Sequence, residues 1–180
     1  MASITYTISG GAGNASVSIK KSGDNTERCT SNCTGRGNGS HSSTLNTVDL
    51  TKGVNHTINI VVSEGSCDDS SQQTLCCPAT GGSLTGNLTP AENTTQTYTV
   101  SGIDGNYAET GGNGGFSIIG GSAGFIGTPS GGVAQVSVGT QPFTLCYNIT
   151  SCGQTRSICI NIVPQTAGCT LSVSSVSISC

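Results

Sequence analysis

The chain has 180 residues and a formal net charge of −3, and only 8% of it is Asp, Glu, Lys or Arg, against roughly a quarter in an ordinary soluble protein. That balance excludes a nucleic-acid groove, which needs a basic patch. No apolar run approaches the ~18 residues of a membrane helix, so no membrane insertion is expected. Ser and Thr make up 51 residues and Gly another 27, while strong helix formers are scarce. Thr, Val and Ile suit a pleated surface and Gly and Asn suit turns, which predicts an all-β chain of short strands.

The first predicted strand, Ile4–Ser9, follows an N-terminus with neither a basic n-region nor an apolar h-region. The expectation is that a secretory leader was either removed, with Met1 added for expression, or never used. Alternating apolar and polar residues then mark strands at Ala15–Lys20, Thr44–Leu50 and Val54–Val62. Between the second and third lies Ser22–Ser43, long and polar, which reads as the main exposed loop and the place for binding residues. A short strand is expected at Thr74–Pro78. In the second half, strands are predicted at Gln96–Val100, Gly115–Ile119, Val133–Val138, Phe143–Thr150 and Arg156–Val163, separated by Gly-rich turns.

These elements repeat. Thr5-Tyr6-Thr7-Ile8-Ser9-Gly10 reappears 92 residues later as Thr97-Tyr98-Thr99-Val100-Ser101-Gly102. Thr57–Ser63 matches Thr144–Thr150 at a shift of 87, and each copy then reaches a cysteine, Cys67 or Cys152. A period near 90 residues is the length of one small β-sandwich. The reading is two tandem immunoglobulin-like β-sandwich domains, 1–78 and 79–164, followed by a C-terminal strand within 165–180. The segment Cys169–Cys180 alternates apolar and polar residues and by position opens a third repeat that stops after one strand. A lone strand must pair, either back onto its own chain or onto the edge of another.

The second domain resembles the Ig-like and PKD-like repeats of Bacteroidota surface adhesins. The residues that carry the resemblance are Gln96–Val100, Gly115-Phe116-Ser117-Ile118, Gly132–Val138 and Phe143–Gly153. Such repeats often hold Trp where Phe116 stands. The first domain, through Thr5–Gly11 and Gly53–Cys67, is similar to short repeats of gliding-type adhesins from the same bacteria. Related modules also occur as virion decoration or fibre proteins of phages. The resemblance implies the sandwich fold and a non-enzymatic structural or adhesive role.

The ten cysteines are the main chemical feature. An even count in a loop-rich chain suggests disulfides in an oxidising compartment. If the last two strands of the second domain turn at Cys152-Gly153, residues whose numbers sum to about 305 face each other, which brings Cys146 to Cys159. Cys29 and Cys33 would close a small loop, Cys67 would bond Cys76 or Cys77, and Cys169 and Cys180 would tie off the tail. The alternative is a set of free thiols in a reducing compartment. A zinc site would use Cys29-x3-Cys33 as one half, but the second half-pair is missing. His41 and His56 sit in polar sequence, are expected to be exposed, and lack any triad context. Asp68-Asp69, the only acidic pair, falls in an expected turn. Asp24, Asp68, Asp69 and Asp104 lack calcium-loop spacing. No catalytic, cofactor or metal residue is therefore assigned, and no cofactor is expected.

The function expected from these observations is a structural or decoration protein on a virion surface, with weak adhesion to surface glycans. The alternative is a fragment of a secreted cell-surface adhesin. The expected partners are other subunits of an assembly, whether copies of this chain or capsid or tail proteins.

Overall fold

A computed structural model describes residues 2–10 and 12–166, which form strands and turns with no helix. The chain divides into two compact units. The first takes the chain up to Gly81 together with Ile103–Ala108 and Thr150–Gln154. The second takes Gly82–Gly102, Glu109–Ile149 and the described residues from Thr155 onward.

In the first unit the strands are β1 (Ala2–Ile8), β2 (Ser16–Lys21), β3 (Cys29–Ser31), β4 (Gly39–Leu45), β5 (Asn55–Glu64) and β6 (Cys67–Cys76). They form two three-stranded sheets, ordered β1-β4-β3 and β2-β5-β6. Inward residues of both sheets meet in one core: Ile8 and Leu45 from the first, Val17, Ile19, Ile58 and Ile60 from the second. Two sheets sharing a core make a sandwich. Lettered B to G in chain order, these strands give sheets B-E-D and C-F-G. That is the constant-type immunoglobulin arrangement, with no strand at the A position among the described residues.

The second unit contains β7 (Thr80–Thr85), β8 (Thr95–Asp104), β9 (Ala108–Glu109), β10 (Phe116–Ile119), β11 (Gly124–Phe125), β12 (Val133–Ser137), β13 (Phe143–Ser151) and β14 (Gln154–Ile162). Some of these strands run on into segments counted with the first unit. The sheets are β11-β12-β8-β7 and β10-β13-β14, with β9 also on β13. In letters they are D-E-B-A and C-F-G, so this unit has its A strand, β7. The protein is thus all-β and built of tandem immunoglobulin-like sandwiches. The sequence repeats fall on matching strands, with Thr5–Gly10 and Thr97–Gly102 on the two B strands and the 57–63 and 144–150 segments on the two F strands.

Three expectations need correction. The strand predicted at Thr44–Leu50 is β4, Gly39–Leu45. It ends because Asn46 Oδ1 accepts the Val48 N–H at 3.0 Å, an Asx turn. The expected loop Ser22–Ser43 holds β3 and most of β4. Its periodicity is hidden because the inward residues of β4 before Leu45 are His41 and Ser43. The short strand expected at Thr74–Pro78 is the end of a ten-residue strand, β6, whose first eight residues are exposed. A strand with no buried face carries no alternation to read. The tail strand expected at Cys169–Cys180 lies outside the described residues. Just before it, Gln165 donates to Pro90 O at 2.8 Å and accepts from Glu92 N at 3.0 Å.

Candidate functional site

Three disulfides occur among the described residues. Cys29 is bonded to Cys33, with Cα atoms 6.0 Å apart. Cys146 and Cys159 face each other on β13 and β14 with Cα atoms 4.1 Å apart. The hairpin register behind that bond comes from a two-residue turn, Cys152-Gly153, in which both φ angles are positive.

The pairing expected for Cys67 does not form. Cys67 opens β6 and Cys76 ends it. At about 3.3 Å per residue, β6 holds its ends roughly 30 Å apart, whereas a disulfide needs Cα atoms within about 7 Å. Cys67 is a free, exposed thiol, and Cys77 is free and half-buried. Cys76 is instead bonded to Cys152, 76 residues away. One local signal points there. The first position of such a turn favours Asn or Asp, and a Cys held at positive φ needs another reason. Cys169 and Cys180 lie outside the described residues.

Around the Cys76–Cys152 bond the first unit gathers distant backbone segments. Gly53 N–H donates to Cys77 O at 2.7 Å and Asn106 N–H donates to Lys52 O at 2.8 Å. Ser151 Oγ accepts the Ala79 N–H and donates to Asn106 O at 2.8 Å. Gly53 has φ +75, and a Cβ there would lie 1.8 Å from Asn106 O, so no other residue fits. Beside this cross-linked region is an open cleft of about 750 Å³, lined by Thr47, Val48, Asp49, Lys52, Asp104 and Asn106 among others. Lys52 Nζ pairs with Asp104 and also donates to Thr80 Oγ1 at 2.6 Å. The pair neutralises itself, and the rest of the lining offers the Asp49 carboxylate, the Thr47 and Thr51 hydroxyls, the Asn106 amide and the exposed Val48 tip.

Elsewhere in this unit the charges serve the backbone. Glu27 accepts from Ser18 Oγ at 2.6 Å and from the N–H groups of Ile19, Arg28 and Cys29. Partial burial pushes its pKa up, but these bonds outweigh it and the net shift is downward. Asp24 is held at about 2 by the backbone and side chain of Thr26 and by Arg28. The Arg28 side chain is only 4% exposed and meets Asp24 at 2.8 Å. Glu64 is lowered by the N–H groups of Asn14 and Ala12.

The histidines depart from expectation. His56 is buried, because it shares the inward face of β5 with Ile58 and Ile60, and its Nε2 lies 2.9 Å from Thr51 O. His41 is half-buried, with Nε2 2.7 Å from Gly37 O. Asp68 and Asp69 lie on β6 opposite Ser63 and Val62, not in a turn. Neighbouring strand residues point to opposite faces, so they cannot act as a couple. Asp24 and Asp104 are engaged with Arg28 and Lys52. Among the described residues no three His, Cys, Asp or Glu side chains converge to hold a metal ion.

No family model and no curated protein matches the chain. Among solved structures it is similar to a chimeric titin Z1Z2-Z1Z2 tandem, at 12% identity over 91% of this chain and 90% of that one, with a TM-score of 0.30. It is also similar to domains 4 and 5 of the S-layer protein SbsC, at 14% identity over 84% of this chain and 100% of that one, with a TM-score of 0.28. An endo-fucoidan hydrolase of glycoside hydrolase family 107 is matched at 13% identity over 84% of this chain and 24% of that one, with a TM-score of 0.28. Likeness at this level assigns no activity, and the immunoglobulin-like architecture stands on the chain's own strand order.

Proposed function

We propose that this chain is a non-enzymatic structural protein that works as part of an assembly, as a decoration or fibre component on a virion surface. The observation that carries the assembly reading is β6. It is ten residues long, keeps unbroken register with β5, and forms the outer strand of its sheet. It contains no Lys, Arg or Pro, its charges are confined to Asp68 and Asp69 near its start, and from Ser70 to Thr74 it presents only uncharged polar side chains. A free protein usually blunts such an edge with charge, Pro or a bulge, because an exposed row of backbone donors and acceptors invites another strand. A partner surface that covers the edge removes that hazard. The sparse charge of the whole chain fits the same reading, since it lowers the repulsion between neighbours. The cleft beside Lys52, with Thr47, Asp49, Thr51 and Asn106 in its lining, offers hydrogen-bonding groups suited to weak contact with polar ligands such as surface glycans.

The three disulfides fit an oxidising, extracellular or surface setting, and they favour the second reading, a module of a secreted cell-surface adhesin. Immunogold labelling with antibody to this chain separates the two. Label on purified particles supports the virion component. Label on the cell envelope moves the assignment to the adhesin. A chain recovered only as a free monomer overturns both.

A further inference from the structure

The two sandwiches differ at the A-strand position, and that difference defines an acceptor site. In the second unit the outer side of strand B, β8, is covered by β7, which buries Leu84. In the first unit strand B is β1, which among the described residues is paired on one side only, with β4. Among the described residues, no strand pairs with the outer edge of β1. Next to it the sandwich is open. A cleft of about 210 Å³ runs between β1, at Thr5 and Thr7, and β6, at Ser70 and Gln73, and it reaches the core side chains Ile60 and Val62. This is the place that an A strand takes in a complete sandwich of this class.

The same chain carries a segment with the sequence of such a strand. Strand β7 follows the last strand of the first unit, after Pro78. Cys169–Cys180 follows the last strand of the second unit, after Pro164. Leu171 stands 87 residues after Leu84, the same offset that relates the two F strands. The segment alternates as Leu171-Ser172-Val173-Ser174 and again as Val176-Ser177-Ile178-Ser179, and it has no charged side chain. The strand it would join, Ala2–Ile8, is also free of charge. We infer that the 169–180 segment of one copy adds to the outer edge of β1 in a second copy and takes the A-strand position there. The backbone ladder gives affinity, and Leu171 and Val173 give register by reaching Ile60 and Val62 through the cleft. The contact is heterologous, since donor and acceptor differ, so repetition builds a ring or an open array, and reciprocal exchange builds a dimer. This inference rests on the assembly reading above and names its contact.

The test uses the full chain with Cys67→Ser, Cys77→Ser, Cys169→Ser and Cys180→Ser, so that no association arises through a free thiol. Light scattering is read across a concentration series, with amide hydrogen exchange followed over Ala2–Ile8. The expected result is a mass that rises with concentration and, with it, slower exchange along β1. Adding Val173→Pro, which removes a ladder donor from the donor segment, should return the chain to monomer and lose that protection. A peptide of residues 169–180 with Ser at both cysteines should then restore protection of β1 without restoring mass. Association that survives Val173→Pro overturns strand addition while leaving assembly through other surfaces standing. Protection of β1 that does not depend on concentration places the segment on its own chain and overturns exchange between copies. A chain that stays monomeric with β1 unprotected also overturns the inference.

Discussion

Cys76, the last residue of β6, is bonded to Cys152, the first residue of the turn between β13 and β14. The bond closes a loop of 76 residues, whereas Cys29–Cys33 closes one of four. Loop entropy makes the longer bond the stronger constraint on the unfolded chain, about 4.5 kcal/mol against about 2 kcal/mol. Replacing the pair by Cys76→Ser and Cys152→Asn keeps an Asn-Gly sequence suited to the turn, so the loss reports the cross-link alone. Denaturant unfolding should show a drop near the larger figure, and Cys29→Ser with Cys33→Ser a drop near the smaller. Equal losses for the two pairs would contradict this assignment.

The free thiols make a separate prediction. Cys67 is exposed at the start of β6 and Cys77 is half-buried just beyond its end. Among the described residues, brief native alkylation followed by peptide mass mapping should label Cys67 first and Cys77 more slowly. The six bonded cysteines should react only after reduction. Early labelling of Cys76 or Cys152 would show that the long-range bond is absent.

How much of this was legible in the sequence depends on burial. Both F strands bury alternate apolar residues, such as Ile58 and Ile60 or Leu145 and Tyr147, so their period is plain and the repeat finds them. The Cys146–Cys159 pairing follows because a two-residue turn fixes every facing pair behind it. Strand β6 was misplaced because nearly all of it faces solvent, and β4 because it turns His41 and Ser43 inward. Ser43 is tolerated there because its hydroxyl bonds Tyr6 Oη at 2.9 Å, a partner 37 residues away that no local pattern reveals. The Cys76–Cys152 bond was hidden for the same reason. Its partners are joined by the fold and not by spacing.

The carboxylates of the first unit predict an acid-sensitive sandwich. Asp24 is depressed to about 2 from 3.8, and Glu27 lies below its usual 4.5. A depressed folded-state pKa contributes stability that is present above the unfolded value and is lost as pH falls through the folded one. Thermal stability should therefore fall progressively below about pH 4. Asp24→Asn should lower the melting temperature at pH 7 by removing the partner of the buried Arg28 guanidinium. The gap to the parent protein should narrow as pH falls below about 4 and close below about pH 2, as the folded-state Asp24 carboxyl is protonated and its ion pair with Arg28 is lost. A gap that is constant with pH would assign the loss to packing instead.

In the second unit the core is organised by two aromatic anchors that respond differently to substitution. Phe116 is buried on β10, 4.9 Å between ring centroids from Tyr147 and 6.5 Å from Phe125. Truncation by Phe116→Ala should cost about 3–5 kcal/mol through lost burial and the cavity left behind. Phe116→Trp, the residue that similar repeats often hold, should cost about 1–3 kcal/mol, because this core is already filled around the smaller ring. Tyr98 is fully buried on β8 and its hydroxyl donates to Asn87 O at 2.9 Å. Tyr98→Phe keeps the ring and removes one hydrogen bond, so its cost should stay near 1 kcal/mol. Gly86→Ala should be worse than that change, although it adds a single methyl group. Gly86 has φ +158, and a Cβ there would lie 2.2 Å from Tyr98 Cδ1, displacing the ring and its hydrogen bond together. Urea unfolding of the four variants should rank Tyr98→Phe as the mildest and Phe116→Ala among the most severe. A Gly86→Ala protein as stable as the parent would show that Tyr98 does not occupy this position.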